Sequence, residues 1–339
     1  MLTAVALRQD GSVVADAPIS WASGDTMVAQ VDAAGRVTMM RPGTVTIRAS
    51  AGGRTGHATV RAFGLDLLYE GAPQGTPEML RVGLEASVPR RILPAGTVAG
   101  DPVPSPDGSR IAFVVADYSQ STGDIYVVNL DGTGLRRLTD DSELDDSPAW
   151  SPDGSRIVFR SYRSGLDGEI WIMDAADGGG LRNLTPQAGS AVIDHRRPAW
   201  SPDGARIAFA STAGGTWDIW TMRADGSDWR RLTSSPALDA EPEWSPDRAR
   251  VVFRRCDTAT GCDLFLVDAA GGGEVRLAFP GDERMPAWSP DGQRIAFVRQ
   301  EPGAPTPRLF TARPDGTDLR PVPIDASWGA ALNPSWLRY

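Results

Sequence analysis

Hydrophobic residues along this chain occur in short segments of strand length that alternate with turn residues such as Gly, Pro, Asp and Ser. Up to residue 62, apolar and polar positions alternate within each segment, and turn residues recur about every 8–12 positions. Strands of this length and spacing are typical of a small β-sandwich. We therefore predict a sandwich over residues 1–62, with a strand at residues 2–7 and with Trp21 in its core.

Beyond residue 65 the segments carry apolar residues on both faces, and they repeat as a unit. A Pro-x-Trp-Ser-Pro-Asp motif marks each repeat. Its four full copies contain Trp150, Trp200, Trp244 and Trp288, and weaker copies surround Pro104 and Trp336. A period of about 40–50 residues with strand patterns inside it is typical of β-propeller blades.

Each repeat predicts four strands, and a Ser-Pro-Asp-Gly turn joins the first to the second. In this turn Pro presets φ, the Asp side chain caps the backbone, and Gly takes the left-handed position. Arg248 replaces that Gly in one repeat. Because a left-handed arginine costs about 1–2 kcal/mol, we predict a reshaped turn there.

The number of repeats predicts the architecture. Five copies of the turn predict five blades, and the strand patterns at residues 65–69, 79–82 and 90–93 supply three strands of a sixth. That sixth unit lacks a Pro-x-Trp strand, whereas the last such strand, at Trp336, has no strands after it. Joining the two predicts an all-β, six-bladed propeller over residues 65–339, closed by pairing of the C-terminal strand with the first blade.

Charge and composition exclude several function classes. The net charge of −9 disfavours a nucleic-acid partner, which requires a clustered basic face. All 34 basic residues are arginine, so no lysine is available as a phosphate ligand or Schiff-base nucleophile. No apolar run approaches the ~18 residues that span a bilayer.

The two cysteines, Cys256 and Cys262, flank a short segment between two predicted strands. They are predicted to face each other across a hairpin tip and to form a disulfide, which persists in an oxidising compartment. The alternative is a pair of free thiols on a surface loop. Two thiols without a neighbouring His make a metal site improbable, and we predict neither a metal nor a cofactor.

The first domain resembles the bacterial immunoglobulin-like group 2 family in the order and spacing of its Ser20-Trp21, Val28–Val31, Gly35–Thr38 and Gly43–Ile47 segments. Members of that family carry one more strand ahead of residues 2–7. The resemblance therefore implies a missing upstream segment, with a secretion signal or lipid anchor as its expected content. It also implies a spacer role in a secreted or surface-attached protein.

The repeat Pro-x-Trp-Ser-Pro-Asp-Gly-x-Arg-Ile-x-Phe, followed by Asp-Ile-Tyr-Val and Asp-Gly-x-x-Leu-Arg-Arg-Leu-Thr, resembles that of TolB-like propellers, which include the periplasmic component of the Tol-Pal system. It is also similar to the propellers of the prolyl oligopeptidase group. The α/β N-terminal domain of TolB is absent from the sequence. A hydrolase domain and its Gly-x-Ser-x-Gly motif are absent as well.

Polar residues precede each Pro-x-Trp strand, where the loops of a propeller open at the central channel. The candidate ligand-binding residues are Asp145, Asp146, His195, Arg196, Asp239, Glu241, Glu283 and Arg284. Convergent carboxylates with a histidine and arginines suit a cation, a peptide amine or a sugar, or acid–base chemistry. Solvated loop charges are the alternative.

Two functions follow from these predictions. The first is a non-enzymatic periplasmic or secreted protein whose channel face binds a protein or a cell-envelope ligand, with the sandwich as a spacer. The second is a channel-face lyase or hydrolase that acts on glycans. The absence of a nucleophile motif favours the first function, and no catalytic residue is assigned.

Overall fold

The computed structural model describes residues 14, 18–26, 29–39, 43–62, 66–72, 76–84, 88–117, 122–165, 167–186, 193–259 and 261–337. The chain forms two compact units, Met1–Leu65 with Tyr339, and Asp66–Arg338. The strand predicted at residues 2–7 lies outside the described residues. The predicted domain limits, 1–62 and 65–339, stay predictions.

The first unit contains two small antiparallel sheets in its described part. Its strands are β1 (Ser20–Ser23), β2 (Ala29–Val31), β3 (Val37–Met39), β4 (Gly43–Ala51) and β5 (Arg54–Ala62). One sheet has the order β1-β4-β5, and the other pairs β2 with β3.

Ala29, Val45 and Ile47 form the buried core of this unit, and Trp21 packs against them. Alternation of apolar and polar residues within the strands places these side chains together. That the unit is an immunoglobulin-like sandwich stays a prediction.

The second unit begins with three strands, β6 (Asp66–Gly71), β7 (Glu78–Gly83) and β8 (Arg90–Arg91). Next come β9 (Gly100–Pro104), β10 (Arg110–Asp117), β11 (Thr122–Asn129), β12 (Arg136–Arg137), β13 (Asp145–Trp150), β14 (Arg156–Ser161), β15 (Glu169–Asp174) and β16 (Arg182–Asn183). They are followed by β17 (His195–Trp200), β18 (Arg206–Ser211), β19 (Asp218–Arg223), β20 (Arg230–Arg231), β21 (Leu238–Trp244), β22 (Arg250–Asp257), β23 (Gly261–Asp268) and β24 (Val275–Leu277). The last are β25 (Asp282–Trp288), β26 (Ile295–Gln300), β27 (Arg308–Ala312), β28 (Arg320–Pro321) and, after a 3-10 turn at Ala326–Trp328, β29 (Ala331–Trp336).

These strands form six four-stranded antiparallel sheets in the described part of the unit. Five sheets each contain four consecutive strands, whereas the sixth has the order β29-β6-β7-β8. Trp336 of β29 lies opposite Leu67 of β6, and Ser335 lies opposite Leu68. The predicted pairing of the last strand with the start of the unit is therefore present. Among the described residues, no helix is long and apolar enough to cross a membrane.

The first strands of the six sheets contact one another in the sequence β9, β13, β17, β21, β25, β29 and back to β9. Apolar cores fill the spaces between sheets: Val252 and Leu266 of one sheet pack in the same buried cluster as Trp288 and Phe297 of the next. Apolar residues on both faces of each sheet explain this packing, because each sheet is covered on two sides.

The tryptophans of the Pro-x-Trp strands join neighbouring sheets. The indole nitrogen of Trp150 donates a hydrogen bond to the carbonyl of Val103, at 3.1 Å, and that of Trp336 donates to the carbonyl of Ala287, at 2.9 Å. Both indoles are buried, so each combines a large apolar contact with a satisfied polar group.

The Ser-Pro-Asp turns are capped as predicted. In the turn after Trp150, the Asp153 carboxylate accepts hydrogen bonds from the Ser151 hydroxyl, at 2.6 Å, and from the Ser155 amide, at 3.0 Å. The Gly154 amide donates to the carbonyl of Ser151, and Gly154 has a φ of +70°.

The prediction of a reshaped turn at Arg248 is wrong. Arg248 takes the same left-handed conformation, with a φ of +65°, and its amide donates to the carbonyl of Ser245 at 2.9 Å. Asp247 caps this turn as the equivalent residues cap the others. The hydrogen bonds of the turn and the flanking strands outweigh the local conformational cost of about 1–2 kcal/mol.

Cys256 and Cys262 lie directly opposite each other in the β22–β23 ladder and form a disulfide bond. Their Cα atoms are 4.0 Å apart. The bond closes the exposed end of this hairpin.

Candidate functional site

Each of the six first strands contains one residue in the left-handed conformation immediately before the proline of its Pro-x-Trp or equivalent segment. These bulge residues, with φ between +47° and +58°, are Asp101, Ser147, Arg197, Glu241, Met285 and Asn333. In all six sheets, the register with the second strand also shifts between the residue ahead of the bulge and the residue two positions beyond it. Non-glycine residues rarely adopt such φ values, and repeated strain of this kind concentrates at functional sites.

The bulge residues of different sheets contact one another. Arg197 donates a hydrogen bond to Asp101, at 3.0 Å, although a whole sheet separates the two in sequence. The Met285 amide donates to the Glu241 carboxylate at 2.6 Å, and the Asn333 amide contacts the Met285 sulfur at 3.2 Å. The bulges therefore bring the first strands together at one place in the unit.

A cavity of about 160 Å³ opens beside these bulges. It is lined by Ser147, Arg160, Arg196, Arg197, Ala240, Glu241 and Arg254. Four arginines and one glutamate therefore line the cavity, whereas five of the eight candidate residues named from the sequence are acidic. Arg197 is itself a bulge residue, and Arg196 directly precedes it. Arg160 and Arg254 lie on the second strands, opposite residues that directly precede a bulge residue.

Three of the four arginines form ion pairs. Arg160 binds both carboxylate oxygens of Asp146, and its Nε is 2.8 Å from one of them. Arg197 pairs with Asp101 at 3.0 Å. Arg254 lies 3.2 Å from Glu241.

Arg196 is the remaining arginine, and it forms no ion pair with any described residue. Its guanidinium carbon lies 3.6 Å from the centre of the Trp217 ring. Its Nε is buried and has no hydrogen-bond partner among the residues that the structure describes. Burial lowers the pKa of Arg196, partly offset by the nearby Asp194 carboxylate, but an arginine still carries its charge at neutral pH.

Two of the predicted carboxylates, Asp145 and Asp239, are fully buried within the sheets. Asp239 accepts two hydrogen bonds from Arg255, both at 2.7 Å. Asp145 pairs with Arg163 at 2.6 Å, while burial raises its pKa to about 6. Both carboxylates therefore form internal ion pairs instead of lining the cavity.

His195 is also buried, with 1% of its surface exposed. Its ring meets those of Phe209 and Trp229 edge-on, with centroids 5.7 Å and 5.4 Å away. Its Nδ1 has no hydrogen-bond partner among the described residues, and burial lowers its pKa to about 4. His195 is therefore a neutral aromatic core residue at physiological pH.

Glu283 and Arg284 occupy the equivalent positions in β25. Glu283 is fully buried, and neither carboxylate oxygen has a hydrogen-bond partner in the described part of the chain. Burial, with a smaller contribution from Asp263, raises its pKa to about 8. Arg284 has 47% of its side chain exposed and lies 3.7 Å from Asp282.

Of the eight predicted residues, the cavity therefore includes Arg196 and Glu241, and Asp146 lies behind Arg160. That any of the eight binds a ligand stays a prediction. The prediction missed Arg160, Arg197 and Arg254. Arg197 could have been found because it precedes the proline of Pro-x-Trp, as every other bulge residue precedes its own proline.

In the described part of the chain, no group of three metal-ligating side chains occurs.

Comparisons with known proteins follow the two units. The TolB beta propeller domain (PD40) matches residues 64–195 and 193–320. The intimin immunoglobulin-like domain matches residues 10–53. No curated protein matches this sequence significantly.

Several solved structures share the fold. TolB from Acinetobacter baumannii has a TM-score of 0.68 and 18% identity, with 94% of this chain and 83% of that chain covered. A putative TolB from Agrobacterium tumefaciens has a TM-score of 0.61 and 18% identity, over 77% and 89% of the two chains. An oligogalacturonate lyase from Vibrio parahaemolyticus has a TM-score of 0.53 and 13% identity, over 76% and 74%.

At these identities the solved structures bear on the fold alone. The family model, in contrast, extends over both halves of the repeat region and over more than half of the whole sequence. The chain therefore belongs to the TolB β-propeller family.

Proposed function

We propose that this protein is a non-enzymatic binding protein that acts outside the cytoplasm. In this proposal, the six sheets are the six blades of a propeller that β29 closes by pairing with β6. The end of the propeller that carries the bulge residues recognises a protein or a cell-envelope ligand. The first unit serves as a spacer of the immunoglobulin-like type.

The repeated bulge is the observation that carries this proposal. Six non-glycine residues adopt a left-handed conformation at equivalent positions, and three of them, Ser147, Arg197 and Glu241, line one cavity. Each such residue costs stability, of the order of 1 kcal/mol or more. Side chains that differ from sheet to sheet on a constant, strained backbone are typical of a recognition surface built on a rigid scaffold.

The environment of the carboxylates favours binding over catalysis. A general acid or base must reach the substrate, but Asp145, Asp239 and Glu283 have no exposed surface. Asp145 and Asp239 are also paired with arginines. Glycan cleavage by a lyase or hydrolase therefore remains the less supported alternative.

The disulfide supports a location outside the cytoplasm. Cys256 and Cys262 are bonded at a hairpin tip, and disulfides persist in oxidising compartments such as the periplasm and the cell exterior. Membership of the TolB β-propeller family is consistent with this location.

Charge reversal at the cavity end tests the proposal. Arg196 and Arg284 lie in the first strands, whereas Arg223 and Arg313 lie at the opposite ends of their sheets and are about 60% exposed. We compare the double variant Arg196→Glu/Arg284→Glu with the matched control Arg223→Glu/Arg313→Glu. Both immobilised variants and the unmodified protein are incubated with cell-envelope extract, and the retained molecules are identified by mass spectrometry.

The unmodified protein and the control are expected to retain the same partner, and the cavity-end variant is expected to lose it. Parallel assays on envelope glycans and oligogalacturonate are expected to show no turnover. Retention of the same partner by all three proteins would contradict the proposed binding face. Turnover that the cavity-end variant abolishes would establish the enzymatic alternative instead.

A further inference from the structure

The arginine-lined cavity carries one more positive charge than the carboxylates paired with it. Arg160, Arg197 and Arg254 are matched by Asp146, Asp101 and Glu241. Arg196 has no counterpart within ion-pair distance among the described residues. The nearby Asp194 accepts a hydrogen bond from the Gly168 amide at 3.0 Å and partly offsets the charge of Arg196, but it lies beyond ion-pair distance of that guanidinium. A carboxylate in direct contact with Arg196 would complete this set of ion pairs.

The unpaired arginine is also held in one orientation. Its guanidinium lies over the Trp217 ring, with 3.6 Å between the guanidinium carbon and the ring centre. Arginine stacks in this way while its N–H groups remain available at the edge of the plane. The ordering of the side chain is therefore already complete before a ligand binds, which lowers the entropic cost of binding.

Donors without acceptors indicate what is missing from the cavity. The Nε atoms of Arg196 and Arg254 are buried and have no hydrogen-bond partner among the described residues. Buried polar groups are nearly always satisfied in native proteins, and a buried donor without an acceptor is costly. An anion with two acceptor oxygens would satisfy these donors.

We propose that the cavity binds a carboxylate group, with Arg196 as its principal ligand. The planar guanidinium matches the two oxygens of a carboxylate. A monoanion suits the single arginine that lacks an ion-pair partner, whereas a dianion such as phosphate would repel the Asp101, Asp146 and Glu241 carboxylates. The volume of about 160 Å³ is far above the ~10–15 Å³ that holds one water. It is below the ~300–1,000 Å³ of sites for drug-sized ligands, so the cavity admits an end group and not a whole large ligand.

Two sources present this chemistry: a free small carboxylate, or an acidic side chain of a bound peptide. The peptide source rests on the proposed function, in which the same face binds a protein. The free source does not depend on it.

Calorimetric titration of the full chain tests the inference. The ligands are capped glutamate and capped glutamine, which differ only in the carboxylate, together with inorganic phosphate at equal ionic strength. A short peptide with two glutamates and its glutamine counterpart form the second arm. The variants are Arg196→Gln and Arg196→Lys, with Arg223→Gln as a control that removes the same charge from an exposed site in the same sheet.

Capped glutamate is expected to bind, and capped glutamine and phosphate are expected to bind at least tenfold more weakly. Arg196→Gln is expected to weaken glutamate binding by about tenfold or more, because a charge-assisted hydrogen bond is lost. Arg196→Lys retains the positive charge but lacks the planar set of N–H donors of a guanidinium. Its affinity for capped glutamate is therefore expected to lie between those of the unmodified protein and Arg196→Gln. Arg223→Gln is expected to bind like the unmodified protein. Tighter binding of the glutamate peptide than of capped glutamate would identify the peptide as the source.

Equal affinity for glutamate and glutamine, tighter binding of phosphate, or unchanged glutamate binding by Arg196→Gln would each overturn the inference. If Arg196→Gln fails to fold, the inference is tested by the affinity of Arg196→Lys for capped glutamate and by the comparison of capped glutamate with capped glutamine on the unmodified protein. Retention of an envelope partner without carboxylate binding would overturn this inference alone. Carboxylate binding without a retained partner would instead overturn the proposed function and leave the inference standing.

Discussion

Trp336 lies opposite Leu67 in the β29–β6 ladder, and its indole nitrogen donates a hydrogen bond to Ala287 in the neighbouring sheet. One side chain therefore connects the beginning of the second unit, its last strand and the sheet before that strand. Trp336 also belongs to the buried cluster that contains Leu67, Leu80 and Val298. A contact of this kind stabilises the pairing of strands that are most distant in the sequence.

Replacement of Trp336 by alanine is expected to lower the free energy of unfolding of the second unit by about 3–5 kcal/mol, because a large buried side chain is removed. Trp336→Phe keeps the ring contact and loses the hydrogen bond to Ala287, so a smaller loss is expected. Denaturant titration followed by far-ultraviolet circular dichroism measures both. Leu135→Ala, at a side chain that is 54% exposed, is the control, with an expected change within about 0.5 kcal/mol. An equally small change for Trp336→Ala would contradict a closing role of β29.

The Ser-Pro-Asp-Gly turn gives a second prediction, since Arg248 adopts a φ of +65° where the equivalent Gly204 has +70°. Arg248→Gly releases about 1–2 kcal/mol of conformational cost. It also removes an ion pair with Asp203, 3.1 Å long and largely exposed, which is worth less than about 1 kcal/mol. A gain in stability of about 0.5–1 kcal/mol is expected.

The reverse substitution, Gly204→Arg, is the matched control for Arg248→Gly. A Cβ at Gly204 would meet only Pro152, at 3.7 Å, so the expected loss of about 1 kcal/mol has a conformational origin. Thermal denaturation of both variants measures the two changes. A loss of stability in Arg248→Gly would show that the arginine contributes more through its contacts than its backbone costs.

The repeats were predictable from the sequence because their structural determinants are local. Pro, Asp and Gly fix the turn within four residues, and a Trp every 44–50 residues fixes the spacing of the blades. The same reasoning failed at Arg248, since the flanking strands impose the left-handed conformation on whichever residue stands there. Local preference is a weak determinant when two strands on either side are already paired.

The candidate site was less predictable because it depends on bulges. A strand without a bulge would place every second residue on the same face, which predicts that the polar residues ahead of each Pro-x-Trp strand face the channel. The left-handed residues ahead of Pro148 and Pro198 shift the register instead. Asp145 and His195 are consequently buried, while Arg196 and Arg197 reach the cavity.

His195 gives a third prediction, on the dependence of stability on pH. Its folded pKa is about 4, below the value of 6.5 expected when unfolded. Below pH 6.5 the unfolded chain therefore binds a proton that the folded chain does not, and stability contributed by neutral His195 is lost as the pH falls toward 4. Between pH 7 and pH 5 the loss is about 2 kcal/mol.

His195→Phe isolates this effect, since phenylalanine keeps aromatic contact with Phe209 and Trp229 and does not titrate. Relative to His195→Phe, the unmodified protein is expected to lose about 2 kcal/mol of unfolding free energy when the pH is lowered from 7 to 5. Urea titrations at the two pH values measure the shift. A constant difference would mean that His195 gains a proton as readily in the folded protein as in the unfolded chain.

Glu283 gives the opposite dependence on pH. Its folded pKa of about 8 is higher than the unfolded value of 4.5. Burial is the main cause of the raised pKa, and the neighbouring Arg299 offsets it only in part, since it donates through its Nε to the carbonyl of Pro280 at 2.8 Å and lies 3.6 Å from Glu283. Between pH 4.5 and pH 8 the folded protein therefore binds a proton that the unfolded chain lacks. This contribution to stability is complete below pH 4.5 and is lost as the pH rises through 8.

Glu283→Gln replaces the protonated carboxyl by a neutral group of the same shape that does not titrate. Relative to this variant, the unmodified protein is expected to lose about 2 kcal/mol of unfolding free energy between pH 6 and pH 8.5. Glu143→Gln makes the same substitution at an exposed side chain, and its difference from the unmodified protein is expected to stay constant over this range. Urea titrations of the three proteins at both pH values measure the effect. If Glu283→Gln and Glu143→Gln respond alike, the buried carboxyl at position 283 is already ionised at pH 6, and Arg299 stabilises its charge despite the distance.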